Sequence, residues 1–425
     1  MTDQIRCTHC GGDVSAAERC CPKCGTSRPA PQLVTNSEPN FKKGDFIGHK
    51  YEVLNTLGEG GFGVVYLVYS HEVESLLALK TFRDMYLADA QVRLRFEREA
   101  RIWVRLKRHP YIVRAYFVER IGGRPYVAMA YIAPNPEGIN SLQEHIHQGS
   151  PNLVQSLRWA IQCCYGMEYA HLRGIGAHRD LKPANIMVGC DNTAKINDFG
   201  LAGVIKEEWC VGTPEYMSPE QFTNASSCDE RSDIYSFGVV LHHMVTGSPP
   251  FVGPWTHLSH LHRYAPVPAI ESLAESPLSL VILRCIEKEP EKRYQSFREL
   301  RADLEEHLKQ ERGEVISPPE LPKLGAWEWN LEGSSLNSLG FYTEALECFE
   351  EALRIVPRFV GVLVNKGRSL GNLNRYEEAI ECYDKVLQID PRSVNALIGK
   401  GTALDSLGQH EEATGTLLES MCRYG

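Results

Sequence analysis

The sequence predicts a multidomain chain in which a central α+β domain lies between a small metal-folded ribbon and an all-α repeat module. Three observations carry that expectation. Five of the fourteen cysteines fall within the first 24 residues. Short β-branched runs (Tyr51–Leu57, Val64–Tyr69, Ala78–Phe82) then give way to longer helical periodicities, such as 92–106 with Phe96, Ala100, Ile102, Trp103 and Leu106. Beyond residue 325 the chain repeats itself every 34 residues.

Length and composition agree with this division. At 425 residues the chain exceeds what one core ordinarily holds. Its 45 Lys+Arg against 54 Asp+Glu give a net charge of −9, which argues against a dedicated nucleic-acid binder. The start of the sequence lacks the apolar run of a secretory leader. The most apolar stretch, 236–253, is interrupted by His242, His243, Gly247, Pro249 and Pro250, so no membrane span is expected. Many cysteines without a leader favour a reducing compartment, and a cytoplasmic protein is expected.

The first module is residues 1–27. Cys7-Thr-His-Cys10-Gly and Cys21-Pro-Lys-Cys24-Gly are two copies of one turn that aims two thiolates at a single ion. Four sulfurs complete a tetrahedral shell and leave no position for water, so the expected role is structural Zn²⁺. A segment this short cannot bury a core, and metal binding would supply its folding energy. Cys20 could replace Cys21, though only Cys21 keeps the two-residue spacing; iron satisfies the same ligand types. The segment resembles the short zinc ribbons found at the ends of many prokaryotic proteins. Residues 28–44, with Pro29, Pro31 and Pro39, read as a linker.

In the central module, Leu57-Gly58-Glu59-Gly60-Gly61-Phe62-Gly63-Val64-Val65 has glycines spaced for a phosphate-covering turn. A dinucleotide fold would need a helix directly after them. The run Val64–Tyr69 follows instead, so the glycines join two strands, and Leu77-Ala78-Leu79-Lys80 forms the next one. Further on come His178-Arg179-Asp180-Leu181-Lys182-Pro183-Ala184-Asn185, Asp198-Phe199-Gly200 and Ser218-Pro219-Glu220.

These motifs, in this order, resemble the Hanks-type Ser/Thr protein kinases of bacteria over residues 45–308. The resemblance implies a two-lobed kinase fold that transfers the γ-phosphate of ATP to protein Ser/Thr hydroxyls. It implies that Lys80 holds the α/β-phosphates and pairs with a helix glutamate, Glu97 or Glu99, with the Arg98-Glu99-Ala100 context favouring Glu99. Asn185 and Asp198 would hold Mg²⁺, Asp180 would orient the hydroxyl and take its proton, and Lys182 would steady the γ-phosphate. Thr213 would bond Asp180 and Lys182. Residues 57–65 would cover the phosphates. Met129 would stand as gatekeeper, the main chain of Ala130 and Ile132 would bond adenine, and Val65, Ala78 and Met187 would sandwich the ring. Asp233 and a Glu220–Arg293 pair are expected to brace the large lobe. Between Gly200 and Gly212 there is no Ser, Thr or Tyr, so Glu207 or Glu208 is expected to supply fixed charge opposite Arg179. The alternative reading is a nucleotide-sensing pseudokinase scaffold, although none of the lysine and the two aspartates usually lost in such proteins is missing.

Residues 309–325 (Gly313, Pro318, Pro319, Pro322) read as a second linker. Gly333, Gly367 and Gly401 are 34 apart, as are Ala345, Ala379 and Ala413. The pattern resembles tetratricopeptide repeats at 326–359, 360–393 and 394–425, which implies helix pairs and a protein partner in the concave face. The positions that form a basic carboxylate clamp in some members read Asn330, Ser334, Asn365, Asn395 and Gly399, and only Asn365 matches. With 9 Lys+Arg against 15 Asp+Glu, residues 326–425 hold most of the net charge, and neutral or basic partners are expected.

Overall fold

The computed structural model describes residues 4–6, 13–15, 41–59, 63–82, 100–106, 108–199, 213–224, 227–270, 273, 276–321 and 323–422. These fall into two compact units, one holding residues 132–318 and the other 41–131 with 319–425. At the start of the chain, β1 (Gln4–Arg6) pairs antiparallel with β2 (Asp13–Ser15), and the first cysteine pair lies in the connection. All four proposed zinc ligands, Cys7, Cys10, Cys21 and Cys24, lie outside the described residues.

The second-named unit begins with a six-stranded antiparallel sheet, ordered β3-β4-β5-β6-β8-β7. Its strands are β3 (Phe46–Ile47), β4 (Tyr51–Glu59), β5 (Gly63–Ser70), β6 (Ser75–Phe82), β7 (Ala115–Ile121) and β8 (Arg124–Ala130). Residues of period two point to one face. Tyr51, Val53, Tyr66, Val68, Leu77, Leu79, Tyr126 and Ala128 accordingly form one buried cluster. Residues 100–105 are helical, and buried Trp103 ties this helix to the segment before β7 by donating to the Val113 carbonyl at 3.3 Å.

The same unit contains six helices of the repeat module: Ala326–Ser338, Tyr342–Ile355, Val360–Asn372, Tyr376–Ile389, Val394–Ser406 and His410–Cys422. The repeating glycines explain how each pair packs. A Cβ on Gly333 would stand 2.6 Å from the Phe349 ring, on Gly367 2.8 Å from Tyr383, and on Gly401 2.7 Å from Leu417. The facing Ala345, Ala379 and Ala413 are buried. Each glycine therefore seats a large side chain sixteen residues later in sequence. Overpacking a tight core costs about 1–3 kcal/mol. Gly367→Val is expected to lower the melting temperature of the repeat helices, followed by circular dichroism, because Tyr383 cannot retreat from a buried position.

The first-named unit is mostly helical, built from Leu142–Gln148, Leu153–Leu172, Glu230–Thr246, Trp255–Tyr264, Leu278–Cys285 and Phe297–Arg312. Ser141 and Glu144 form a reciprocal cap on the first, and Asn152 accepts from the Gln155 amide at 2.9 Å on the second. The apolar stretch at 236–253 is the buried part of Glu230–Thr246 and the turn after it. No helix among the described residues is long and apolar enough to cross a membrane.

The boundary near residue 308 differs from the sequence expectation. The last helix runs on to Arg312 and is closed by Gly313 at φ 66°. The following residues are pinned to the Leu153–Leu172 helix. Glu314 receives a two-pronged contact from Arg158 (2.9 Å from Nε, 2.6 Å from Nη2), and the Ile316 carbonyl accepts from the Tyr165 hydroxyl at 3.5 Å. Composition could not mark where the attachment of this segment ends.

Candidate active site

The helical unit carries one group of candidate residues on a short hairpin. β9 (Ile186–Val188) pairs antiparallel with β10 (Ala194–Ile196), matching Ile186 with Ile196. Asn185 directly precedes β9, and Asn197 and Asp198 directly follow β10. The Asn197 amide extends the ladder to the Asn185 carbonyl at 2.9 Å. Pairing register thus delivers Asn185 and Asp198 to the same end of one hairpin.

The loop before β9 is held from below. Asp233, buried at the start of the Glu230–Thr246 helix, accepts from the amides of His178 (2.7 Å) and Arg179 (2.9 Å). Arg179 lies at φ 67°, and Gln221 donates to its carbonyl at 2.9 Å. Asp198 also adopts a left-handed conformation, φ 60°. Non-glycine residues are strained there, and such strain persists only where surroundings over-determine it. Both strained residues belong to the expected catalytic motifs.

Two side chains converge on Asp180. The Asn185 amide nitrogen donates to the Asp180 carbonyl (2.8 Å) and to its Oδ2 (2.9 Å), and Lys182 Nζ lies 2.8 Å from the same Oδ2. Among the described residues both contacts fall on Oδ2 and none on Oδ1. They also fix the Asn185 amide, whose oxygen is a hard donor, as is the Asp198 carboxylate at the same end of the hairpin. That donor set suits Mg²⁺. Thr213 caps the turn Pro214–Tyr216, and its side chain makes no capping bond. The segment after it is anchored by Tyr216, whose hydroxyl meets His243 Nδ1 at 2.7 Å, and by the Glu220–Arg293 pair at 2.8 and 3.0 Å. Burial pushes the Tyr216 hydroxyl far above its usual range, so it stays protonated as an anchor.

The sheet carries the other group. Val65 lies opposite Lys80, and Ala78 opposite Met129. Ala78 and Lys80 are two apart on β6, so all four share one sheet face. That face is the reverse of the Tyr66–Leu79 core. Gly58 and Glu59 pair with Val65 and Val64, so the glycine segment joins two antiparallel strands, as its sequence suggested. Leu57, beside it, is an exposed large apolar residue. The Ala130 amide donates to the Arg114 carbonyl at 2.9 Å and fixes the end of β8. Separately, the Ile132 carbonyl accepts from Asn140 Nδ2 at 2.9 Å. Met187 sits in the middle of β9, opposite Lys195. Gly60, Gly61, Phe62, Glu97, Glu99, Glu207 and Glu208 lie outside the described residues.

Sequence reasoning identified Asp233 and the Glu220–Arg293 pair but missed Gln221 and His243. Both act through side-chain hydrogen bonds to residues distant in sequence, and no spacing pattern marks such a partner.

A family model described as protein kinase domain matches residues 51–304, and the chain belongs to that family. A tetratricopeptide repeat model matches residues 361–393. The chain is 35% identical over 295 residues to the serine/threonine-protein kinase PknB of Mycobacterium tuberculosis, covering 65% of this chain and 45% of that protein. It is 34% identical over 275 residues to PknB of Mycolicibacterium smegmatis, covering 61% and 43%. The crystal structure of the M. tuberculosis PknI kinase domain superposes with a TM-score of 0.50 at 26% identity, covering 63% of this chain and 98% of that one. The matched region spans less than half the length of these PknB relatives. The fold is therefore a two-lobed protein kinase fold, with the repeat helices following it.

Proposed function

We propose that the chain is a Ser/Thr protein kinase that transfers the γ-phosphate of ATP to protein hydroxyls. The observation that carries the proposal is the convergence of Asn185 and Lys182 on one oxygen of Asp180. With Oδ2 held, Oδ1 orients a Ser or Thr hydroxyl and accepts its proton as the bond to the γ-phosphorus forms and the bond from that phosphorus to the β,γ-bridging oxygen breaks, leaving ADP. Lys182 then stabilises charge on the transferred group. Asn185 and Asp198 would hold Mg²⁺, which supplies charge neutralisation at the phosphate oxygens when bound. Lys80 would hold the α/β-phosphates, paired with Glu99, while Val65, Ala78, Met129 and Met187 enclose adenine and the Ala130 and Ile132 main chain bonds its edge. Gly58, Gly60, Gly61 and Gly63, with Leu57, Glu59, Phe62 and Val64, would cover the triphosphate. Thr213 would join Asp180 and Lys182 once substrate is bound.

Radiolabelled ATP with a generic basic protein substrate tests the activity. Label in Ser and Thr from wild type, with a large loss in Lys80→Met, is the expected result. Equal incorporation in both would show that the signal is not this site's.

The residue-level assignments at the two ends belong to the same reading. Cys7, Cys10, Cys21 and Cys24 would form a structural zinc ribbon, supported by the two repeated turns and by the β1–β2 pairing that flanks the first. One zinc ion per purified chain is expected by mass spectrometry of the metal, falling towards none in Cys7→Ser/Cys10→Ser. The repeats would bind a protein partner in a cytoplasmic setting. Asn365 donates to Asn330 Oδ1 (3.0 Å) and Ser334 Oγ (3.1 Å), so three clamp positions already satisfy one another. That internal pairing disfavours capture of an acidic chain end.

A further inference from the structure

The unit containing the kinase sheet also contains the repeat helices, and among the described residues its ion pairs between them have one polarity. Arg101, on the 100–105 helix, pairs with Glu344 and lies 4.6 Å above the Phe341 ring. Arg114, just before β7, pairs with Glu328 at 3.1 Å. Arg105 and Glu347 are 3.9 Å apart and more exposed, so they add little. Every cation comes from the kinase and every anion from the first repeat.

Each inner pair is tied to something further. Glu328 uses one carboxylate oxygen on Arg114 and the other to cap its own helix through the Gly325 amide at 2.9 Å. The start of the repeat module is thereby registered on the sheet. The carbonyl of Arg114 holds the amide of Ala130. Arg101 stands on the helix that buried Trp103 fastens beside Arg114, through the Val113 carbonyl. The repeat thus touches the segment ahead of the proposed adenine-bonding residue and the 100–105 helix, which follows Glu99 in sequence.

We infer that the first repeat is an in-chain docking partner of the small lobe, and that this docking tightens the hold on MgATP. The second half of the inference rests on the kinase reading above. A repeat that released Arg101 and Arg114 would loosen both the 100–105 helix and the segment that positions Ala130. Coupling of this kind between two sites ordinarily spans about 5- to 150-fold in affinity.

The test uses the full-length chain. Glu328→Arg/Glu344→Arg breaks both inner pairs by like-charge contact, and adding Arg114→Glu/Arg101→Glu restores them with reversed polarity. A neutral variant, Glu328→Gln/Glu344→Gln, keeps an acceptor for the Gly325 cap and serves if the charge reversal fails to fold. Amide hydrogen exchange at 100–106 and 326–349 reads the dock without any catalysis. The KM for ATP reads the coupling. The broken variants are expected to exchange faster in both segments and to raise KM at least about fivefold, and the reversed pairs to reverse both changes. Unchanged exchange overturns the docking. Faster exchange with unchanged KM overturns the coupling. A wild type that transfers no phosphate overturns the kinase reading and the nucleotide half with it, while exchange still decides the dock.

Discussion

Asp180→Asn is expected to lower kcat for phosphoryl transfer by about 10²–10⁴-fold, the range typical of a lost general base. The substitution keeps shape and removes charge. Asn185 donates to the Asp180 main-chain carbonyl at 2.8 Å as well as to its side chain, so the loop retains that anchor. His178 and Arg179 remain held by Asp233. The melting temperature is therefore expected to stay close to that of wild type. KM for ATP should move little if, as proposed, Asp180 serves the hydroxyl and not the nucleotide. A fall in KM and kcat together, or a collapse in stability, would instead assign Asp180 to scaffolding. Steady-state kinetics with a defined peptide, beside a thermal melt, distinguishes these outcomes.

Arg293→Ala is expected to destabilise the helical unit by about 3–5 kcal/mol, as for other buried ion pairs broken from one side. The guanidinium is fully buried, and all five of its N–H donors are used. Two reach Glu220 (2.8 and 3.0 Å), and three reach the carbonyls of Glu287, Lys288 and Arg231 (2.8–3.0 Å). Removing it strands a carboxylate and three carbonyls together. Domains of this size are stable by about 5–15 kcal/mol, so the loss is a large fraction of the whole. Burial alone would raise the Glu220 carboxyl. The Arg293 bonds and charge, with the Ser232 hydroxyl at 2.6 Å, outweigh it and hold the group below its ordinary 4.5. A carboxylate depressed on folding contributes fully above its unfolded value and loses that contribution as pH falls through the folded one. Wild-type stability should therefore decline below about pH 4.5, and Glu220→Gln should flatten part of that decline in a urea titration across pH.

Much of this arrangement was legible in the residues. The β-branched run after Gly63 distinguished a strand hairpin from a dinucleotide turn, and the register of β4 with β5 agrees. The 34-residue glycine period reappears as three seats for Phe349, Tyr383 and Leu417. Val65, Ala78, Lys80 and Met129 were expected around the nucleotide through the resemblance alone, and it is strand register that puts them on one face. What the sequence did not reveal depends on long-range pairing of surface charges. Arg101 and Glu344 are isolated residues of ordinary helix faces, and nothing local distinguishes them from solvated neighbours. The extension of the last kinase helix to Arg312 was hidden for a related reason. Its final turns are polar, and only Arg158 and Tyr165, far away in sequence, show that the chain beyond is held.

The pinning of Glu314 and Ile316 also sets the length of the leash on the repeats. From Ser317 to Gly325 only nine residues remain before the first repeat helix begins. Such a span is at most about 30 Å when fully extended. A short tether keeps its two ends at an effective concentration on the order of millimolar. Docking through two partly exposed ion pairs and one arginine–phenylalanine contact needs little intrinsic affinity under those conditions. A competing partner would have to displace the repeat against that local excess, so weak contacts within the chain translate into a demanding threshold for anything outside it.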